Sequence, residues 1–74
     1  KDSAAVTRVV KRLSDMLRKG DQDARRRSSE LLGKLATGAA GYPLAKVLFD
    51  KDDVVAKNAS NGLIAIGGKR VATN

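Results

Sequence analysis

Apolar residues recur every three or four positions over most of the chain, which is the spacing of one face of an α-helix. The first such stripe contains Val6, Val9, Val10, Leu13, Met16 and Leu17. The second contains Ala24, Leu31, Leu32 and Leu35, with the small residue Ser28 at one position of the stripe. Both segments are therefore predicted to form amphipathic helices that bury these stripes.

The residues between the stripes are typical of helix ends. Gly20 is expected to end the first helix in a left-handed conformation, and Asp21 is expected to cap the second. Gly38 and Gly41 predict the next break, with Pro43 near the start of the third helix, where its missing N–H costs nothing. Acidic residues before the fourth helix suit its positive end, and these are Asp50, Asp52 and Asp53.

The chain also repeats itself with a period of 31 residues. A shift by this period superimposes Leu13 on Leu44, Met16 on Val47, Leu17 on Leu48, Asp21 on Asp52, Ala24 on Val55, Ser28 on Ala59, Leu32 on Leu63 and Leu35 on Ile66. We therefore predict one all-α domain over residues 1–74, built from two stacked antiparallel helical hairpins. Repeat 1 is expected at about 5–36 and repeat 2 at about 40–67, with 68–74 as a tail or the start of a third repeat. The predicted core is Leu13, Leu17, Leu32, Leu35, Leu44, Leu48, Leu63 and Ile66.

One local signal disagrees with this arrangement, because the dipeptide Asn61-Gly62 favours a hairpin turn. It falls one period after Glu30-Leu31, inside a predicted helix. We expect the helix to continue through it at a cost of about 1 kcal/mol for the glycine. Gly62 would then let two helix backbones approach closely.

Each repeat contains a similar short series of residues. The first has Asp21, Ala24-Arg25, Ser28 and Leu32-Gly33-Lys34-Leu35; the second has Asp52, Val55-Ala56, Ala59 and Leu63-Ile64-Ala65-Ile66-Gly67. This series resembles the short HEAT-like repeats of the phycobilisome-lyase type. The resemblance implies an α-solenoid in which Asp and Arg side chains form a polar ladder between repeats, with Arg25 at the Arg position and Ala56 replacing it in the second unit. It also implies a scaffold that binds other proteins, or an accessory subunit of an enzyme such as a chromophore lyase.

The small size of the chain limits its core, since a domain of this length buries only about 60% of the surface its unfolded form exposes. The sequence contains no Cys and no His, so neither disulfides nor thiolate or imidazole metal sites can reinforce it. Two repeats also leave apolar helix faces without a neighbour. We expect these open ends to be covered by self-association, by docking on a larger assembly, or by further repeats of a longer array.

The charge of the chain is +7, and ten of its fifteen Lys and Arg residues lie within the first 37 positions. On the first helix the face opposite the apolar stripe carries Arg8, Lys11, Arg18 and Lys19 around one acid, Asp15, with Arg12 on its flank. This face is a candidate site for a polyanion or an acidic partner. A second candidate face comprises Arg26, Arg27, Lys34, Lys57 and Asn61. The only aromatic residues are Tyr42 and Phe49, too few to stack a series of bases.

The densest run of charge is Arg25-Arg26-Arg27-Ser28-Ser29, which suits a phosphate clamp or a basophilic kinase. The helical register favours a structural role instead, with Arg25 and Ser28 near the buried stripe and Arg26 and Arg27 pointing outward. Surface pairing at four-residue spacing is predicted for Arg26, Glu30 and Lys34.

Catalysis is not expected, because general acid–base chemistry without His or Cys requires carboxylates buried together in a pocket. The acidic residues instead precede predicted helices, so the sequence predicts no enzyme, no cofactor and no metal site. The alternative for Asp50, Asp52 and Asp53 is a divalent-ion site.

The leading functional hypothesis is a non-catalytic helical-repeat scaffold that docks a partner protein. The alternative is sequence-independent binding to an RNA or DNA backbone, including attachment to a ribosome, through the basic face. The longest apolar stretch is far shorter than the roughly 20 residues of a membrane span, and no secretory signal opens the chain. We therefore expect a cytoplasmic protein that does not bind a membrane.

Overall fold

The computed structural model describes the backbone of residues 3–72 and the side chains of residues 4–68. Its elements are α1 (Ser3–Lys19), α2 (Gln22–Leu35), α3 (Gly38–Lys46) and α4 (Asp53–Ala72), and this part of the chain contains no strand. Helices α1 and α2 form one hairpin (hairpin 1), and α3 and α4 form the next (hairpin 2). The hairpins meet mainly through α2 and α4, with smaller contacts of α3 with α2 and with α1. The all-α fold class predicted from the periodicity is confirmed. None of the helices described is both long and apolar enough to cross a membrane.

The core lies between the two hairpins and consists of Val10, Leu13, Leu17, Leu32, Ala40, Leu44, Val55, Ala59 and Ile66. Of the eight predicted core residues, five are buried, and Leu48 and Leu63 are partly buried against this cluster. The prediction for Leu35 is wrong, since its side chain is 38% exposed. The stripe residues Val9, Met16 and Leu31 are exposed as well. Each stripe is wider than the side of the helix that a neighbour covers.

Helices α2 and α4 cross at two glycines. A Cβ atom added to Gly62 would lie 2.8 Å from Gly33 Cα and 2.7 Å from Leu44 Cδ1. Helix α4 runs through Asn61 and Gly62 without a turn. Both the helical conformation and the close approach predicted for Gly62 are therefore confirmed.

The first interhelical break lies where it was predicted, but for a different reason. Asp21 caps α2, because its Oδ1 accepts a hydrogen bond of 2.9 Å from the backbone N–H of Ala24. Gly20 is not left-handed, as was predicted: no glycine of the described residues has a positive φ. A Cβ at Gly20 would lie 2.5 Å from the Met16 carbonyl oxygen and 2.6 Å from Ala24 Cβ. Space, rather than backbone conformation, requires glycine here.

The second break differs from the prediction. It falls at Ala36 and Thr37, where Ala36 adopts a left-handed conformation with φ of 48°, whereas Gly38 and Gly41 belong to α3. Pro43 is inside α3 rather than near its start. Because proline lacks an N–H, Pro43 donates no hydrogen bond to the preceding turn, and α3 ends three residues later at Lys46.

The third break covers residues 47–52 and includes Asp50, as predicted. Helix α4 then continues to Ala72, beyond residue 67 where repeat 2 was expected to end. Residues 68–72 are thus a continuation of α4, and residues 73 and 74 of the expected tail lie outside the described part of the chain.

Candidate functional site

Arg25 links α2 to the last turn of α1 and to the segment before α4. Its Nε donates a hydrogen bond of 2.9 Å to the carbonyl oxygen of Leu17, at the end of α1. Its two terminal nitrogens donate to the two carboxylate oxygens of Asp50, one of them at 3.3 Å. This pair raises the pKa of Arg25 and lowers that of Asp50, chiefly through the side-chain hydrogen bond. Arg25 therefore bridges the two hairpins, and its side-chain donors are engaged in these contacts within the protein.

Arg26 makes a second bridge to the segment before α4. Its Nε donates to Asp52 Oδ2 at 3.0 Å, and this hydrogen bond is the main reason why the pKa of Asp52 is lowered. Asp52 Oδ1 also accepts from the backbone N–H of Val54 at 2.9 Å, which caps α4. The side chain of Arg26 is 41% exposed, but it pairs with Asp52 rather than with Glu30 as predicted. The predicted pair of Glu30 and Lys34 is present at 3.6 Å.

The acidic residues before α4 are arranged for these bridges. Asp50 accepts from the backbone N–H of Asp52 as well as from Arg25. Within the described residues, no group of three acidic side chains is placed to hold a metal ion. The geometry of Asp50 and Asp52 thus agrees with capping and ion pairing.

The serines of the basic run are inaccessible. Ser28 and Ser29 are fully buried, and their hydroxyls donate to the carbonyl oxygens of Arg25 at 3.2 Å and Arg26 at 2.8 Å. A kinase could not reach either hydroxyl in the folded chain, which excludes that hypothesis for the native state.

The basic face of α1 consists of Arg8, Lys11, Arg12, Arg18 and Lys19, and all five side chains are exposed. Arg18 pairs with Asp15 at 2.9 Å, and both side chains are about half exposed or more. The other four form no ion pair within the described part of the chain. These residues therefore form one positive ridge along α1.

The second candidate face is divided and mixed in sign. Arg26 and Arg27 line one groove on the α2–α4 side, and Lys34 and Asn61 line the adjacent groove. Glu30 lines both grooves. Lys57 is exposed on α4 and lines neither of them. With Arg26 bound to Asp52 and Lys34 beside Glu30, this face carries little excess charge.

A cleft between α1 and α3 adjoins the basic face and has a volume of about 350 Å³. Its lining residues are Ser14, Leu17, Arg18, Arg25, Tyr42, Pro43, Lys46 and Val47, none of which carries a carboxylate. Tyr42 is 74% exposed, and Lys46 Nζ lies 5.3 Å from the centre of its ring, within the range of a cation–π contact. The cleft thus combines an apolar wall with cationic side chains at its edge.

Sequence reasoning identified Arg18 and Arg25 but missed the cleft that contains them. The missed residues are Tyr42 and Lys46, whose four-residue spacing places them on one side of α3. This spacing was the available signal, but the side of α3 that turns towards α1 depends on the break at Ala36 and Thr37.

No protein-family model, curated protein or solved structure matches this chain.

Proposed function

We propose that this chain is a non-catalytic helical-repeat module of the HEAT type that docks a partner protein. The observation that carries the proposal is the cleft between α1 and α3, which joins an apolar wall to Lys46, a cation with no carboxylate partner among the described residues, and to Arg18, which also pairs with Asp15. A partner suited to it is an acidic amphipathic segment. Its apolar side chain enters the cleft beside Tyr42, while its carboxylates lie near Arg18 and Lys46.

The chemistry of the remaining charged groups supports binding rather than catalysis. The two carboxylates with lowered pKa values, Asp50 and Asp52, are held by arginines and helix N–H groups. Such groups stay ionised at neutral pH and have no free proton to exchange. A general acid or base would require the opposite shift, towards neutrality.

The basic face of α1 continues the electrostatic attraction beyond the cleft. Charges of one sign on an exposed ridge steer an oppositely charged partner and accelerate its association, more than they strengthen the final complex. We therefore attribute the affinity for the partner mainly to the cleft, and the rate of association mainly to the basic face of α1. A cytoplasmic location and a protein partner remain parts of the same proposal.

The test is a titration with a labelled acidic peptide that has one central aromatic residue. Two control peptides replace either its Glu residues by Gln or its aromatic residue by Ala, and each should bind more weakly. In the protein, Tyr42→Ala should reduce affinity by about tenfold or more, because aromatic anchors in a pocket dominate binding energy. The matched control is Phe49→Ala, which removes an aromatic residue outside the cleft and should leave peptide binding unchanged.

Charge reversal provides an independent comparison. Lys46→Glu should weaken peptide binding, whereas Lys51→Glu, an equal change at an exposed position outside the cleft, should have a much smaller effect. Equal binding by all four variants would contradict the assignment of the cleft.

The alternative function, binding to a nucleic-acid backbone, is favoured by the four cations of the α1 ridge that have no carboxylate partner within the described residues. Arg18 lies in both the ridge and the cleft, so the discriminating variant is Arg8→Glu combined with Lys11→Glu. Duplex and single-stranded probes should be titrated at two salt concentrations with this variant. Tight binding that falls steeply with salt and is lost in this variant, but not in Lys46→Glu, would make nucleic acid the primary partner.

A further inference from the structure

The 31-residue repeat relates each contact between the hairpins to a position at a free end of the molecule. Hairpin 2 presents Gly62 to Gly33 of hairpin 1, and its residues Ala40 and Ile66 are buried in the shared core. One period earlier, hairpin 1 has Leu31, Val9 and Leu35 at the corresponding positions.

These three residues are uncovered, and we call them the head face. Their side chains are 41%, 46% and 38% exposed, in the order Leu31, Val9 and Leu35. With Leu13 and Lys34 they line a groove between α1 and α2 with a volume of about 270 Å³. The head face is thus the side of hairpin 1 that corresponds to the covered side of hairpin 2.

The opposite end shows the complementary relation. In hairpin 1, Gly33 lies against Gly62 of hairpin 2. Arg18 of hairpin 1 lines the cleft between α1 and α3. One period later these positions are Ile64 and Phe49, which are 69% and 94% exposed. We call Phe49, Lys57 and Ile64 the tail face. Two of the most exposed large apolar side chains therefore lie where a further hairpin would make contact.

The polar contacts follow the same relation. Arg26 of hairpin 1 pairs with Asp52, which caps α4 of hairpin 2. The corresponding residues are Lys57 on the tail face and Asp21, which caps α2 of hairpin 1. Both are exposed and opposite in charge, so the ion pair can be repeated between two molecules.

We propose that the partner of the head face is the tail face of a second copy of this chain. Ile64 of one copy packs on Leu31 of the next, Phe49 reaches the α1 side, and Lys57 pairs with Asp21. The glycine crossing is replaced by two large apolar residues, so the helices lie farther apart than α2 and α4 do. Because the two faces differ, the contact is heterologous and leaves one free head and one free tail.

The decisive experiment blocks each face separately and then mixes the two variants. Leu31→Glu removes the head and keeps the tail, whereas Ile64→Glu removes the tail and keeps the head. Sedimentation should show that the wild type gains mass with concentration beyond the dimer. Each variant alone should be monomeric, because every contact needs one head and one tail, and burying the new carboxylate lowers the association constant by about tenfold or more. Their mixture should form a one-to-one dimer, since one functional head meets one functional tail.

Several outcomes would overturn the proposal. A wild type that stays monomeric into the high micromolar range would contradict the proposal. A mixture of the two variants that stays monomeric while the wild type associates would also contradict it. A dimer formed by either variant alone would indicate a contact between identical faces. Circular dichroism establishes that the variants are folded, and Val9→Glu and Phe49→Glu repeat the design with other residues of the same faces.

The control separates this inference from the proposed function. Tyr42→Glu changes an exposed aromatic residue in the cleft between the hairpins and away from both ends, so it should associate like the wild type. Ile64→Glu should in turn bind the acidic peptide normally. Failure of one proposal therefore leaves the other measurable.

Discussion

Single residues decide how closely the two hairpins pack, most clearly the glycines at the crossing of α2 and α4. The role of Gly62 could be predicted, because the repeat register placed it inside a helix against the turn preference of Asn61-Gly62. The role of its partner Gly33 could not be predicted. The register aligns Gly33 with Ile64 rather than with Gly62, and the crossing point depends on how the hairpins dock.

This crossing makes two glycines of one helix respond oppositely to the same substitution. Gly62→Ala should destabilise the protein by about 1–3 kcal/mol, because its Cβ would overlap Gly33 and Leu44. A Cβ added at Gly67 would have no atom within 4 Å. Gly67→Ala should therefore stabilise α4 by about 0.5–1 kcal/mol. Urea unfolding of both variants measures the difference. A stabilising Gly62→Ala would show that the helices do not cross there.

Burial of individual residues was predicted where a stripe faces the other hairpin, and missed where it faces outward. Leu32 and Leu35 have the same periodicity, yet one is fully buried and the other is 38% exposed. Periodicity identifies the apolar side of a helix but not the neighbour that covers it. The errors at Val9, Leu31 and Leu35 all lie on the head face.

Among the helices, the starts of α2 and α4 could be predicted from their capping residues, whereas the start of α3 could not. Asp21 and Asp52 cap α2 and α4 through local hydrogen bonds that depend on two or three following residues. The break after α2 was assigned to Gly38 and Gly41 instead of Ala36 and Thr37 because alanine, rather than glycine, takes the left-handed conformation at Ala36. The pairing of Arg26 with Asp52 was missed for a related reason, since spacing rules describe neighbours on one helix and these residues are 26 positions apart.

The bridges between α2 and the segment before α4 predict an acid-sensitive stability. The pKa values of Asp50 and Asp52 are lowered in the folded state by Arg25 and Arg26. Carboxylates of this kind contribute fully above their unfolded pKa of about 4, and the contribution is lost as pH falls below it towards the folded pKa. Free energies of unfolding measured by urea titration should therefore fall below about pH 4.

Arg25→Gln isolates the first bridge. At neutral pH it should cost about 1–3 kcal/mol, because Asp50 and the Leu17 carbonyl lose their donor. This loss should shrink as pH falls and Asp50 becomes protonated in both proteins. The control is Lys34→Gln, which removes an exposed pair and should change stability by less than about 0.5 kcal/mol. A loss for Arg25→Gln that is independent of pH would contradict the bridge.

For the molecule as a whole, the basic face of α1 could be predicted from the sequence, but the cleft between α1 and α3 could not. The basic face follows from the spacing of residues on one helix. The cleft requires two helices from different hairpins, and its position depends on the unexpected start of α3 at Gly38. The 31-residue shift, by contrast, relates buried residues of one hairpin to exposed residues of the other once burial is known, as it does for Ile66 and Leu35.

A chain of 74 residues with two uncovered ends should gain stability from its own association. Only the folded state presents the head and tail faces, so association favours folding by mass action, by about 2.7 kcal/mol when the concentration is 100 times the dissociation constant. For a domain of this size each kcal/mol corresponds to a rise in Tm of roughly 4–8 °C. Calorimetry over a hundredfold range of concentration should therefore show a rising Tm for the wild type and a constant Tm for Ile64→Glu. A wild-type Tm that does not change with concentration would mean that the two hairpins are stable without a neighbour, and that the exposed apolar ends play no part in folding stability.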